Sequence, residues 1–180
     1  MICFLPSLPS GEDFRHTAAV NFRDKIIAWE NLAAWRERLR AAGRKLVVTN
    51  GCFDILHPGH VTYLEAARNH GDALLVGVNA DASVRANKGP HRPVNDEQDR
   101  VAVLAALASV DGVCLFTDRT ATKFLTLVQP DVYVKGGDQN LTTVPAEELR
   151  AVVQGGGKVV FAPLVKGKST TALLEKISRL

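Results

Sequence analysis

The sequence predicts an α/β fold: a Rossmann-like, mainly parallel five-stranded sheet flanked by helices. Three observations predict it. Short β-branched runs alternate with amphipathic stretches along the chain, and such alternation implies parallel strands joined by helical crossovers. The 180 residues suit one domain, since ~100–150 residues is the commonest domain size. A composition of 46% hydrophobic and 23% charged residues, without a low-complexity tract or internal repeat, is that of a globular protein with a real core.

Residues 1–24 are expected to form an N-terminal tail and residues 25–180 a single domain. Met1 to Pro9 is apolar but short, lacks a basic leading region and is broken by Pro6 and Pro9, so it reads poorly as a signal peptide. From Trp29 to Ala42 the residues Leu32, Ala33, Trp35 and Leu39 recur at helical spacing, with Gly43 as a stop. Trp29 and Trp35 read as helix-packing residues. Lys45–Thr49 is a strand, Gly59 to His70 a helix, Ala73–Asn79 a buried strand, and Asp81–Asn87 and Asp96–Ser109 two helices. The alternation continues with a strand at Gly112–Phe116, a helix at Thr120–Val128 and a strand at Asp131–Val134. A helix at Pro145–Gln154, ended by Gly155-Gly156-Gly157, a strand at Lys158–Phe161 and a helix at Ser169–Leu180 complete it.

Composition also bounds function. The net charge of +3 is spread along the chain, which argues against binding nucleic acid through bulk electrostatics. Cys3, Cys52 and Cys114 show no metal-ligand spacing and no even disulfide set, which fits a reducing, cytoplasmic setting. No stretch approaches the ~20 apolar residues of a membrane span.

In parallel sheets ligands bind beyond the carboxyl ends of strands, and that is where the unusual residues fall. Asn50 to His60 carries two glycines, a proline and two histidines three residues apart, between a strand and a helix. Glycine admits close backbone approach, and a helix N-terminus offers free N–H groups to an anion. With the helix starting near Pro58, the His57 and His60 rings lie at its first turn and can both donate to a phosphoryl oxygen. The plainer reading has His57 capping the helix and His60 packing on the sheet. Two histidines without a third ligand make a weak zinc site.

Three later segments join it. Lys88 and Arg92, in a loop with Gly89, Pro90 and Pro93, supply fixed cations for a phosphate, whereas Arg100 is expected to pair with a carboxylate on its own helix. Lys135-Gly136-Gly137-Asp138 follows a strand, where a base or ribose could approach the backbone or a simple turn could stand. Ser169-Thr170-Thr171 opens the last helix, as a cap, a phosphate cradle or both. Gly167-Lys168-Ser169 is like the end of a P-loop, but Ala162 stands where that motif needs glycine.

The run from Thr49 to His60 closely resembles the signature of the cytidylyltransferase-like nucleotidyltransferases, whose HxGH element is related to the HIGH motif of class I aminoacyl-tRNA synthetases. The similarity extends from about Lys25 to Leu180 and is nearest to the adenylyltransferase domain of bacterial ADP-heptose synthesis. Val78–Asp81, Lys88–Asn95, Asp131–Asp138 and Lys168–Thr171 carry it.

The resemblance implies transfer of AMP from ATP to D-glycero-β-D-manno-heptose 1-phosphate, for bacterial surface polysaccharide. It implies catalytic His57, His60 and Lys88. The nucleotide would be bound by Asn50, Gly51, Cys52, Phe53, Gly59 and both histidines, together with Lys135, Gly136, Asp138, Ser169, Thr170 and Thr171. Asp54, Asn79, Lys88 and Arg92 would bind the sugar phosphate. Magnesium would be held mainly by the nucleotide phosphates, with no dedicated protein ligand. A homodimer and a separate heptose kinase and phosphatase are also implied. The alternatives are a cytidylyltransferase for glycerol 3-phosphate or ethanolamine phosphate, a non-catalytic nucleotide-binding module, and an RNA-linked role. Val165–Thr171 lacks the arginine and isoleucine of the first alternative's Arg-Thr-x-Gly-Ile-Ser-Thr-Thr pattern.

Overall fold

A computed structural model describes residues 21–136, 139–163, 167 and 169–179. Its strands are β1 (Leu46–Gly51), β2 (Ala73–Asn79), β3 (Gly112–Phe116), β4 (Val132–Lys135) and β5 (Lys158–Phe161). They form one sheet of five strands in the order β3-β2-β1-β4-β5, with every pairing parallel. The order reverses between β1 and β4, so the carboxyl ends of those two strands flank the crevice where such sheets bind ligands.

The helices are α1 (Leu32–Ala41), α2 (Pro58–Arg68), α3 (Asp81–Lys88), α4 (Glu97–Ala105), α5 (Thr122–Val128), α6 (Ala146–Gln154) and α7 (Thr170–Ile177). Strand side chains alternate between faces, and the sheet uses both. Leu46, Val48, Leu75 and Tyr133 face a core closed by Leu32 and Leu39 of α1, Phe124 and Val128 of α5 and Val152 of α6. Val47, Val76, Val113 and Val134 face a second core, closed by Leu64 of α2 and by Val101 and Leu104 of α4. A strand covered on both faces has no polar side to show, which is why β2 reads as one apolar run, buried at every position.

Helix ends follow local chemistry. Asp96 caps α4 by accepting from Gln98 N and Asp99 N, and Ser169 caps α7 by accepting from Ala172 N at 3.1 Å. In α1 the buried face is Leu32, Arg36 and Leu39. Arg36 reaches from it to the end of α5, donating to Val128 O, Gln129 O and Asp131 Oδ2.

Before α1, a 3-10 turn at Phe22–Lys25 packs Phe22 on the second core and ties Lys25 Nζ to Leu107 O at 3.0 Å. Ile26 then bridges to Val113 of β3. Trp35 packs on the first core as expected, whereas Trp29 lies in a separate 3-10 turn and is exposed.

Candidate active site

The segment after β1 turns sharply before α2. Phe53 adopts φ 47°, a left-handed conformation costing roughly 1–2 kcal/mol outside glycine. Its ring lies against Gly51, where a Cβ would come within 3.1 Å of it, and meets His60 edge-on with centroids 5.4 Å apart. A side chain at position 51 would thus press on the Phe53 ring.

α2 begins with His57 as N-cap residue and Pro58 in its first turn, the position where a missing N–H costs nothing. The His57 side chain makes no capping hydrogen bond. Instead the His57 and His60 rings stack, centroids 3.9 Å apart and 19° from parallel. Burial first, and the neighbouring His57 second, bring His60 down from 6.5 to about 4, so its imidazole is neutral at pH 7. Its Nδ1 is buried without a hydrogen-bond partner among the described residues.

Asp54 is 3% exposed. Its Oδ2 accepts from Arg92 Nε at 2.5 Å, and its Oδ1 from Val94 N and Asn95 N at 2.7 and 3.2 Å. Every one of these donors lies in the loop after α3, so Asp54 sets that loop's shape. The two terminal nitrogens of Arg92 make no hydrogen bond to the described residues, and a phosphate can take them.

Arg100 departs from expectation. It is 2% exposed and pairs with Asp81 of α3, not with a carboxylate of its own helix α4. Its guanidinium also donates to Cys52 O, Asn79 O and Asn95 O. One side chain therefore joins the ends of β1 and β2 to the cation-bearing loop. Acidic residues in its own first turn made a local partner look natural, but only burial toward the sheet brings three carbonyls within reach.

On the other side of the crevice, Lys135 ends β4 and donates to Asn50 Oδ1 at 2.8 Å. Burial pushes its ammonium below the ordinary 10.5, opposed by Glu148 and Cys52. Gly136 lies on the Tyr63 ring, where a Cβ would fall 2.5 Å from Cε2. Tyr63 is held there by Thr49 Oγ1 and by donating to Val134 O. Farther round, Thr170 Oγ1 donates to Ile55 O at 3.3 Å, bringing the start of α7 to the histidine loop.

These pieces enclose one cavity of about 590 Å³. Asn50, Gly51, Cys52, Phe53, Asp54 and His57 line it from the β1 turn, with Gly59 and His60 from α2. Asn79, Lys88 and Arg92 line one side, and Lys135, Gly136, Ser169, Thr170 and Thr171 the other. Gly137, Asp138 and Lys168 lie outside the described residues. Sequence reasoning missed Tyr63, Asn87, Arg119, Gln139 and Pro163, which also line the cavity. Arg119 adds a third cation beside Lys88 and Arg92, and its Nε reaches Asn87 Oδ1 at 3.4 Å. Burial pushes the Cys52 thiol up, with Asp54 adding to this and Lys88, Arg100 and Arg92 opposing it, which favours the protonated thiol. Among the described residues no cluster of His, Cys, Asp and Glu is placed to hold a metal ion, and no described helix is long and apolar enough to cross a membrane.

The crevice where strand order reverses, the stacked histidines at a helix start and the cations lining the cavity suit a nucleotide and its phosphates. The chain belongs to the cytidylyltransferase-like family, whose profile matches residues 48–172. It is 51% identical over 138 residues to the bifunctional protein HldE of Trichlorobacter lovleyi, a match covering 77% of this chain and 28% of that protein. With the bifunctional protein HldE of Mesorhizobium japonicum it shares 46% over 172 residues, 93% of this chain and 34% of the relative. The chain thus spans about a third of the length of these curated relatives. Among solved structures, the lipopolysaccharide core biosynthesis protein from Thermoplasma volcanium GSS1 is similar at a TM-score of 0.58 and 33% identity, covering 70% of this chain and all of that one.

Proposed function

We propose that this chain transfers AMP from ATP to D-glycero-β-D-manno-heptose 1-phosphate, releasing pyrophosphate and ADP-heptose. The observation that carries the reading is the single cavity in which the histidine turn, the Lys88–Arg92 loop, Lys135 and the start of α7 meet. The named relatives, HldE proteins and a lipopolysaccharide core biosynthesis protein, support the heptose branch.

In this reaction an oxygen of the sugar phosphate attacks the α-phosphorus of ATP, a new O–P bond forms, and the bond to the β-phosphate oxygen breaks in line. The attacking phosphate is already anionic at neutral pH, so the protein needs neither nucleophile nor strong base. Its task is positioning and charge stabilisation. Lys88 and the free end of Arg92, with Arg119 beside them, hold the incoming phosphate. His57 and His60 donate to the α-phosphoryl oxygens. A phosphate settling beside the neutral His60 ring favours its protonated form, so the donor strengthens as charge arrives. Ser169, Thr170 and Thr171 cradle the departing pyrophosphate at the N-terminus of α7. Asn50, Lys135 and Gly136 face the nucleoside.

The described residues form no cluster of His, Cys, Asp and Glu that could cage magnesium. The ion is therefore proposed to arrive with the triphosphate, bound by its oxygens, and no step above runs through it. The proposal extends to a cytoplasmic homodimer that takes its substrate from a separate heptose kinase and phosphatase and supplies surface-polysaccharide synthesis.

Pyrophosphate release with ATP, CTP and GTP against heptose 1-phosphate, glycerol 3-phosphate and ethanolamine phosphate tests this. Turnover is expected with ATP and the heptose phosphate. Turnover only with CTP and an alcohol phosphate would replace the reading by the cytidylyltransferase alternative.

A further inference from the structure

Behind the cavity, away from any proposed substrate contact, lies a buried polar group that the reaction does not use. Glu148 of α6 is 3% exposed, deep enough to require partners. Its Oε1 accepts from Ala121 N at 2.8 Å, and its Oε2 lies 2.8 Å from the Tyr133 hydroxyl and 3.4 Å from Lys135 Nζ. Tyr133 and Lys135 in turn converge on one atom, Asn50 Oδ1, at 2.6 and 2.8 Å; the Tyr133 hydroxyl has one proton to share between Asn50 and Glu148, so Lys135 is the donor always available to Oδ1. An ammonium has donors only, so the Asn50 atom facing Lys135 is the amide oxygen. The amide nitrogen then points the other way. It makes no hydrogen bond to the described residues, and Asn50 lines the cavity.

We propose that Glu148 is a positioning residue for the nucleotide side of this cavity: through Tyr133 and Lys135 it fixes the Asn50 amide, so that its N–H groups face the bound nucleotide as donors. This rests on the reading of the cavity as the transfer site. A ligand group meeting Asn50 must therefore be an acceptor, such as a ribose or base oxygen or a ring nitrogen. The arrangement is held most firmly while Lys135 is charged, because the one Tyr133 proton can turn to Glu148 instead. A neutral amine can turn its lone pair toward Asn50 and release the amide to rotate. Burial lowers the ammonium's pKa, and Glu148 opposes this most strongly, with Cys52 adding to it and the Tyr133 ring 5.1 Å from Nζ. Removing the Glu148 charge therefore moves the loss of Lys135's proton to lower pH.

The test is ATP binding by calorimetry on the full chain from pH 6 to 9, with melting curves at each pH. Glu148→Gln keeps an amide oxygen for Ala121 N. Its affinity is expected to fall with rising pH earlier than in the unaltered protein, and so to be the weaker of the two at the alkaline end. Lys135→Met should abolish this dependence in both backgrounds. Tyr133→Phe should weaken binding by about 2–10-fold at all pH values, the worth of one hydrogen bond, without moving the limb. A purely structural Glu148 would lower the melting temperature and leave the pH curves of Glu148→Gln and the unaltered protein superposed, which overturns the proposal. Failure of the unaltered chain to bind ATP or CTP would instead overturn the transfer-site reading, and the proposal with it.

Discussion

Arg92 donates its Nε to Asp54 Oδ2 at 2.5 Å across 38 residues of chain, and the pair joins the histidine turn to the cation-bearing loop. Asp54 also accepts two backbone N–H groups of that loop, so its charge serves the loop's shape as well as the Arg92 guanidinium. Asp54→Ala would leave three donors without their acceptor. A loss of about 2–4 kcal/mol is expected, measured by urea denaturation, with the acceptor KM rising more than that for ATP. Equal rises in both would show that the loop does not serve the acceptor.

Arg100 fixes two strand ends and the same loop from inside the protein. Lysine carries the charge but cannot span three carbonyls and Asp81 together, because it lacks the planar fork. Arg100→Lys should cost about 2–4 kcal/mol by chemical denaturation, although the residue touches no proposed substrate. A change within about 0.5 kcal/mol, usual for an exposed site, would refute this account of the buried guanidinium.

His60 gives a pH signature to stability. Its imidazole is held at about 4 in the fold, below the ordinary 6.5, first by burial and then by His57. Between those values the unfolded chain binds a proton that the folded one does not, so stability falls as pH is lowered through this window. His60→Asn should flatten the dependence, read as urea midpoints from pH 7 to 4 against the unaltered protein. For turnover, His60→Ala should lower kcat by ~10²-fold or more, as loss of a developing-charge donor does. Near-normal kcat would remove His60 from the mechanism.

Gly136 has no room for a methyl group because the Tyr63 ring occupies the space. Gly136→Ala should cost about 1–3 kcal/mol through overpacking and weaken nucleotide binding. Tyr63→Phe frees the ring from Thr49 and Val134, so a double-mutant cycle should show the alanine better tolerated in the phenylalanine background. Strict additivity would mean that the ring is not the obstacle.

The fold was legible because each strand and helix announces itself over a few consecutive residues. Val47, Val48 and the run from Ala73 to Val78 are β-rich, Gly43 and Gly155 stop helices, and Asp96 and Ser169 cap them. The histidine turn, Lys88, Arg92, Lys135 and the residues from Ser169 to Thr171 were legible as motifs, and the fold brings them to one cavity. Nothing local marks Tyr63, which reads as one more residue on a helix, or Arg119, a charge in a loop. Their place depends on crossovers that carry α2 and the β3–α5 connection to the same sheet edge. Arg100 shows the same limit from another side. A nearby acid can be seen in sequence, whereas full burial against carbonyls from three separate segments cannot.

The last helix contributes to the cavity without contributing to the core. No described residue of α7 is buried, yet Ser169, Thr170 and Thr171 close one end of the site. Folding and competence are therefore separable here. A chain ending after β5 would keep every strand of the sheet and the residues of both apolar cores, but would lack one wall of its pocket. Nucleotide binding, not the presence of the folded sheet, is the measurement that tells the two forms apart.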